Sequence, residues 1–125
     1  MTPMSTEVSE LRRRYVDALS EVEQASERTV VALDEIRRGW NVARQLIATG
    51  RPLVELEQVL DPSPLRARLG EALATLERTR HDSQRLLFQL LHAEGQTLAE
   101  IGRTYGISRQ LVSRLVNEPE PNSAG

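Results

Sequence analysis

The sequence predicts an all-α protein: a long N-terminal helical arm followed by a C-terminal tri-helical unit. Three observations carry this. Apolar and small side chains recur at steps of three and four from about Thr6 to Ala48, the spacing of one helical face. A second leucine-rich run of the same period extends from Leu65 to about Ala93. Between Thr97 and Leu115 (TLAEIGRTYGISRQLVSRL), cap residues and a glycine separate two short apolar series. That is the pattern of two brief helices joined by a tight turn.

The arm comes first. Met1 to Ser5 are expected to fray. From there the seam reads Val8, Leu11, Tyr15, Ala18, Val22, Ala25, Thr29, Leu33, Ile36, Trp40, Ala43 and Ile47. Its two consecutive steps of four between Ala25 and Leu33 read as a stutter, which locally unwinds a left-handed supercoil. Unbroken to Ala48, the helix is roughly 60 Å long. A helix of this kind needs another helix to cover its stripe, from its own chain or from a second copy. Ala18, Ala25 and Thr29 are small or polar where a tight coiled-coil dimer carries Leu or Ile. Val16, Leu19, Val30 and Val31 widen the face, so a bundle fits as well as a two-stranded coil. Trp40 is expected as a core or dimer anchor, and the run Arg12-Arg13-Arg14 as a solvated face.

Gly50 followed by Pro52 stops the arm. Leu53, Leu56, Val59 and Leu60 suit a short helix with one apolar face. Asp61-Pro62-Ser63-Pro64 breaks the chain again, with Ser63 placed to cap and Pro64 in the first turn of the next helix. From Leu65 to about Ala93 the apolar positions are Leu65, Leu69, Ala72, Leu73, Leu76, Leu86, Leu87, Leu90 and Leu91. The polar interval Thr79 to Gln84 leaves open one helix or two. Gly95 ends the run. His81 and His92, eleven residues apart, are too distant along a helix to share a metal.

Thr97 and Glu100 form a capping box, in which hydroxyl and carboxylate each satisfy a free backbone N–H. Leu98, Ile101 and Gly102 share one face, with Gly102 small where two helices must approach. Tyr105 packs with its hydroxyl outward. Gly106 takes the left-handed conformation that stops the helix. Ile107 plugs the turn and Ser108 caps the second helix. There Leu111, Val112 and Leu115 face inward, leaving Arg109, Gln110, Ser113 and Arg114 outside. This is the arrangement of a helix-turn-helix, whose second helix lies in the major groove with its N-terminal side chains at base edges. Arg can bind guanine bidentately and Gln can bind adenine. Candidate DNA-binding residues are Thr97, Ser108, Arg109, Gln110, Ser113 and Arg114.

Across this stretch the chain resembles region 4 of bacterial primary sigma factors, and helix-turn-helix repressors more broadly. The shared residues are Thr97-Leu98, Glu100 to Arg103, Gly106 to Arg109, and the β-branched Val112 three after that Arg. The sequence differs beyond Arg109, where sigma factors carry an acidic residue and this chain has Gln110. The resemblance implies double-stranded DNA as a partner and RNA polymerase as a further one. A whole sigma factor needs more domains than 125 residues hold.

Charge agrees in direction. The whole chain carries −2, yet residues 78–117 hold six arginines against Asp82, Glu94 and Glu100, a net of +3. Cysteine is absent, which removes thiol catalysis, disulfides and cysteine-bound zinc. No apolar run is long enough for a membrane span and no signal-peptide pattern appears. A soluble, cytoplasmic, nucleoid-associated protein without membrane partners is the expectation. No catalytic cluster, metal cluster or phosphate loop marks an enzyme, and no cofactor is expected. The chain is thus expected to divide into a dimerising arm over 1–60 and a connecting helix over 61–82. A helix-turn-helix unit over 83–117 and a disordered tail over 118–125 follow. The function expected is a sequence-specific transcriptional regulator acting as a homodimer. The alternative is a protein-interaction module, an antitoxin or polymerase-binding adaptor, whose helix-turn-helix docks protein.

Overall fold

The computed structural model describes residues 5–59 and 61–119, with Val59 described in its backbone alone. Among these residues there are five helices and no strand. They are α1 Thr6–Ala48, α2 Val54–Val59, α3 Pro62–Ala93, α4 Leu98–Tyr105 and α5 Arg109–Val116. No helix among them is long and apolar enough to cross a membrane. The chain forms two compact units. One gathers Met1–Glu21 with Thr79–Gly125, and the other is Val22–Arg78. The first part of the expected arm therefore belongs with the helix-turn-helix, and helices α1 and α3 each contribute to both units.

In the first unit, two apolar clusters share α3. Leu86 and Leu90 of α3 bury Leu11 and Ala18 of α1, with Val8, Tyr15 and Ala93 packed around them. Phe88 faces another way and is buried with Ile101, Val112 and Leu115, flanked by Leu87, Leu91 and Ile107. Phe88, which does not figure in the leucine series of the sequence, is one of the three largest fully buried side chains. The three-residue basic run is partly neutralised. Arg12 pairs with Glu94, and Arg13 with Glu10 and Asp17.

In the second unit α1 and α3 run antiparallel. The Thr29 hydroxyl donates to Ala25 O at 2.8 Å and reaches Ala72 O at 3.4 Å. Arg68 donates to Glu35 at 2.8 Å. Here the expected seam needs correction. Ala25, Thr29, Ala32 and Leu46 are buried and Ile36 and Ala43 half-buried, so steps of four and three continue without a stutter. Leu33, Trp40 and Ile47 are instead 38%, 58% and 61% exposed. The physical reason is close approach: an alanine at 32, not the larger neighbouring leucine, faces the partner helix. Trp40 is accordingly not a core residue.

The helix ends follow local chemistry. Gly50, at φ 74°, closes α1 with its N–H donating to Ile47 O and Arg51 N–H to Leu46 O. Leu53 and Val54 are exposed and Leu56 half-buried. Leu60 and the Val59 side chain, expected on the same face, lie outside the described residues. Helix α3 starts earlier than expected, at Pro62, because Asp61 rather than Ser63 does the capping: its carboxylate accepts from Ser63 N–H at 3.3 Å. It then runs through the polar interval as one helix. Gly95, at φ 110°, ends it.

Two outcomes test this packing. Phe88→Ala should cost about 3–5 kcal/mol, the range for truncating a buried aromatic, read from urea denaturation. The second concerns Tyr15, whose hydroxyl burial pushes above its ordinary range, with a smaller effect from Tyr105. The native state thus holds that proton more tightly than the unfolded chain. The contribution is complete below the unfolded phenol value of about 10 and is lost as pH rises through the raised native value. Wild-type protein should therefore lose stability more steeply than Tyr15→Phe between about pH 9 and 11.

Candidate nucleic-acid interface

The interface is built from α4, its turn and α5. The capping box is present: Thr97 Oγ1 accepts from Glu100 N–H at 3.1 Å, and Glu100 Oε1 accepts from Thr97 N–H at 3.3 Å. Gly106 sits at φ 69°, ψ 32°, the left-handed region, and Ile107 N–H donates to Gly102 O at 3.0 Å. Ser108 caps α5, its hydroxyl accepting from Leu111 N–H at 3.1 Å. A Cβ on Gly102 would stand 2.7 Å from Ile107 O. That carbonyl is backbone, so only glycine lets the turn fold back so closely on α4.

The six candidate residues divide by environment. Arg109, Gln110 and Arg114 are exposed on α5. Thr97 and Ser108 are exposed at the two helix starts, and each spends its hydroxyl oxygen on a cap. Ser113 is half-buried, and Asn117 Nδ2 donates to its carbonyl at 2.8 Å. Arg109 and Arg114 make no ion pair among the described residues, and neither does exposed Arg103 in the last turn of α4. The sequence reading passed over Arg103, although its position beside Gly102 and its charge near a helix C-terminus were both visible. Nearby carboxylates are largely occupied: Glu94 by Arg12, Glu100 by its cap and Glu118 by His81. Among the described residues, the three arginines therefore carry charge on this part of the surface with no ion-pair partner. Tyr105 lies at the rim, its ring tilted 59° to Phe88 with centroids 5.2 Å apart, and it remains 43% exposed.

The polar interval in α3 begins a stripe that the sequence alone did not disclose. His81, Arg85 and Gln89 form one stripe at steps of four. His81 Nε2 lies 2.7 Å from Glu118 Oε2, and Gln89 donates to Val116 O at 3.1 Å. Buried Arg85 stands 3.9 Å from the same Glu118 carboxylate. The stripe clasps the end of α5. Glu118 is thus held, whereas 120–125 of the expected tail lie outside the described residues.

This tri-helical arrangement, with its close glycine and capped second helix, can be set beside known families. Residues 72–118 match Sigma-70, region 4. That family is a helix-turn-helix DNA-binding domain and not an enzymatic one, and the match lies on α3, α4 and α5. Its match begins eleven residues before the expected unit, inside α3. No curated protein and no solved structure matches the chain.

The close approach at Gly102 gives a direct test. Gly102→Ala should destabilise the protein by about 1–3 kcal/mol, as overpacking does. Ser108→Ala should cost about 1 kcal/mol through the lost cap. Thermal melts followed by circular dichroism measure both, and an unchanged Gly102→Ala would mean that the turn slides freely.

Proposed function

We propose that the protein is a sequence-specific DNA-binding transcriptional regulator that acts as a homodimer, with α5 in the major groove of each half-site. The observation that carries this reading is the pair Arg109 and Gln110. Both are exposed in the first turn of α5, on a segment of the region-4 family. That turn is the part of a recognition helix that reaches base edges. Arg114 lies five residues on, about 140° further round the helix, and faces a phosphate at the groove's flank. Arg103 and Thr97 serve the backbone in the same way. Ser108 and Ser113 complete the approach, the first by fixing the start of α5.

Two copies would read an inverted repeat with half-site centres roughly 34–36 Å apart, or a multiple of that spacing. The same family likeness implies RNA polymerase as the protein partner and the nucleoid as the place of action.

The test is affinity for selected and scrambled duplexes at several salt concentrations. Arg109→Ala should lose about 1–3 kcal/mol on the selected site and relax preference at one base position. Arg114→Ala should weaken binding to every sequence alike and lower the salt slope by about one charge per subunit. Equal losses on both duplexes for Arg109→Ala, with base preference intact, would refute this orientation of α5.

A further inference from the structure

The unit Val22–Arg78 concentrates positive charge around an exposed tryptophan. Residues 22–78 hold eight arginines against nine carboxylates, so the unit as a whole is not basic. Trp40 is 58% exposed and walls two depressions. One is a cleft along α1, lined also by Asp34, Arg37, Arg38, Asn41 and Arg44. The other is a groove whose only charged lining residue, among the described residues, is Arg66 of α3. Four of the eight arginines, but only one of the nine carboxylates, therefore line the depressions that share this side chain. Asp34 reaches Arg37 at 3.6 Å, in an exposed pair of the kind that water and salt screen. Arg38, Arg44 and Arg66 are exposed and make no ion pair among the described residues.

We infer that this patch binds single-stranded nucleic acid, its arginines holding phosphates and Trp40 stacking on an unpaired base. Two chemistries select that partner. Guanidinium groups without carboxylate partners call for an anion, and their planar fork matches phosphate oxygens. An exposed indole among them calls for a flat apolar face. An unpaired base offers one, whereas the bases of a duplex are already stacked on each other. An acidic peptide would use the arginines and leave the indole idle. The spacing fits as well. Trp40 is three residues after Arg37 and four before Arg44, so the three are neighbours on the helix surface. Arg37 and Arg44 are about 10 Å apart along the axis, the length of about three nucleotides in a stacked strand. Exposed Asn41 lies between them and supplies an amide that both donates and accepts. The lining residues belong to α1, α2 and α3 and none to α4 or α5, so this site stands independently of the reading proposed above.

Trp40 is the sole tryptophan, so its emission reports on this site. A short thymidine oligonucleotide, or its uridine counterpart, titrated into the intact chain at low salt should quench that emission, and added salt should restore it. Trp40→Ala should weaken binding of the fluorescein-labelled oligonucleotide at least about fivefold, the lower end of what one base–aromatic stack contributes. Trp40→Phe should recover most of that affinity. Arg38→Gln and Arg44→Gln should each reduce the slope of log affinity against log salt by about 0.7. All four side chains are exposed, so helical circular dichroism should not change. The double variant Arg109→Ala with Arg114→Ala, altered only in α5, should still be quenched. Quenching by either oligonucleotide with this dependence supports the site, and the tighter of the two tells whether DNA or RNA is its source. Affinity indifferent to Trp40→Ala, or quenching as strong with heparin or with a duplex, would overturn it. Loss of quenching in the double variant would also overturn it, by placing the single strand on α5. Failure of the Arg109 test on duplexes would leave it standing.

Discussion

The last turns of α3 must present two apolar faces at once, and the DNA-binding unit depends on that constraint. Leu86, Leu90 and Ala93 point toward α1, whereas Leu87, Phe88 and Leu91 point toward α4 and α5. At about 100° per residue these two sets fall on separate sides of the helix. Together they occupy most of its circumference, so α3 cannot be amphipathic there in the usual sense. It becomes the shared wall of two cores. The short helices α4 and α5, with eight residues each, are too brief to persist alone. They are held because Phe88 supplies a large buried surface against which Ile101 and Val112 close.

The third side of α3 is polar and carries a different load. His81, Arg85 and Gln89 reach the carbonyl and carboxylate at the end of α5. Helix α5 is therefore fixed at both ends, by Ser108 and the Gly102 approach at its start and by this stripe at its finish. Rotation of α5 about its own axis is opposed by both sets of contacts. That rotation decides which side chains α5 turns outward, so polar residues of α3 set the exposed face of α5.

How much of this was legible depends on the range of the interactions. The caps at Thr97 and Ser108, the turn at Gly106 and the small Gly102 involve partners within a few residues, and the sequence displays them directly. The seam of α1 was legible up to Thr29. Beyond it the choice between Ala32 and Leu33 is made by α3, some forty residues away, and hydrophobicity alone favours the wrong one. Trp40 followed the same error. Phe88 was hidden because its helix serves two cores, so no single stripe of period 3.6 contains it. Arg103 was legible from its place beside Gly102 and near a helix C-terminus, but the motif points to the helix starts and to α5, where the other candidates lie.

The exposed arginines of α4 and α5 have one more implication. All sixteen basic residues other than the two histidines are arginine. A guanidinium holds its proton across the whole physiological range, whereas a lysine ammonium can be acetylated and so neutralised. Arg103, Arg109 and Arg114 therefore present a charge that neither a moderate change of pH nor lysine acylation can adjust. The strength of this surface toward a polyanion is left to ionic strength and to competition for the same site.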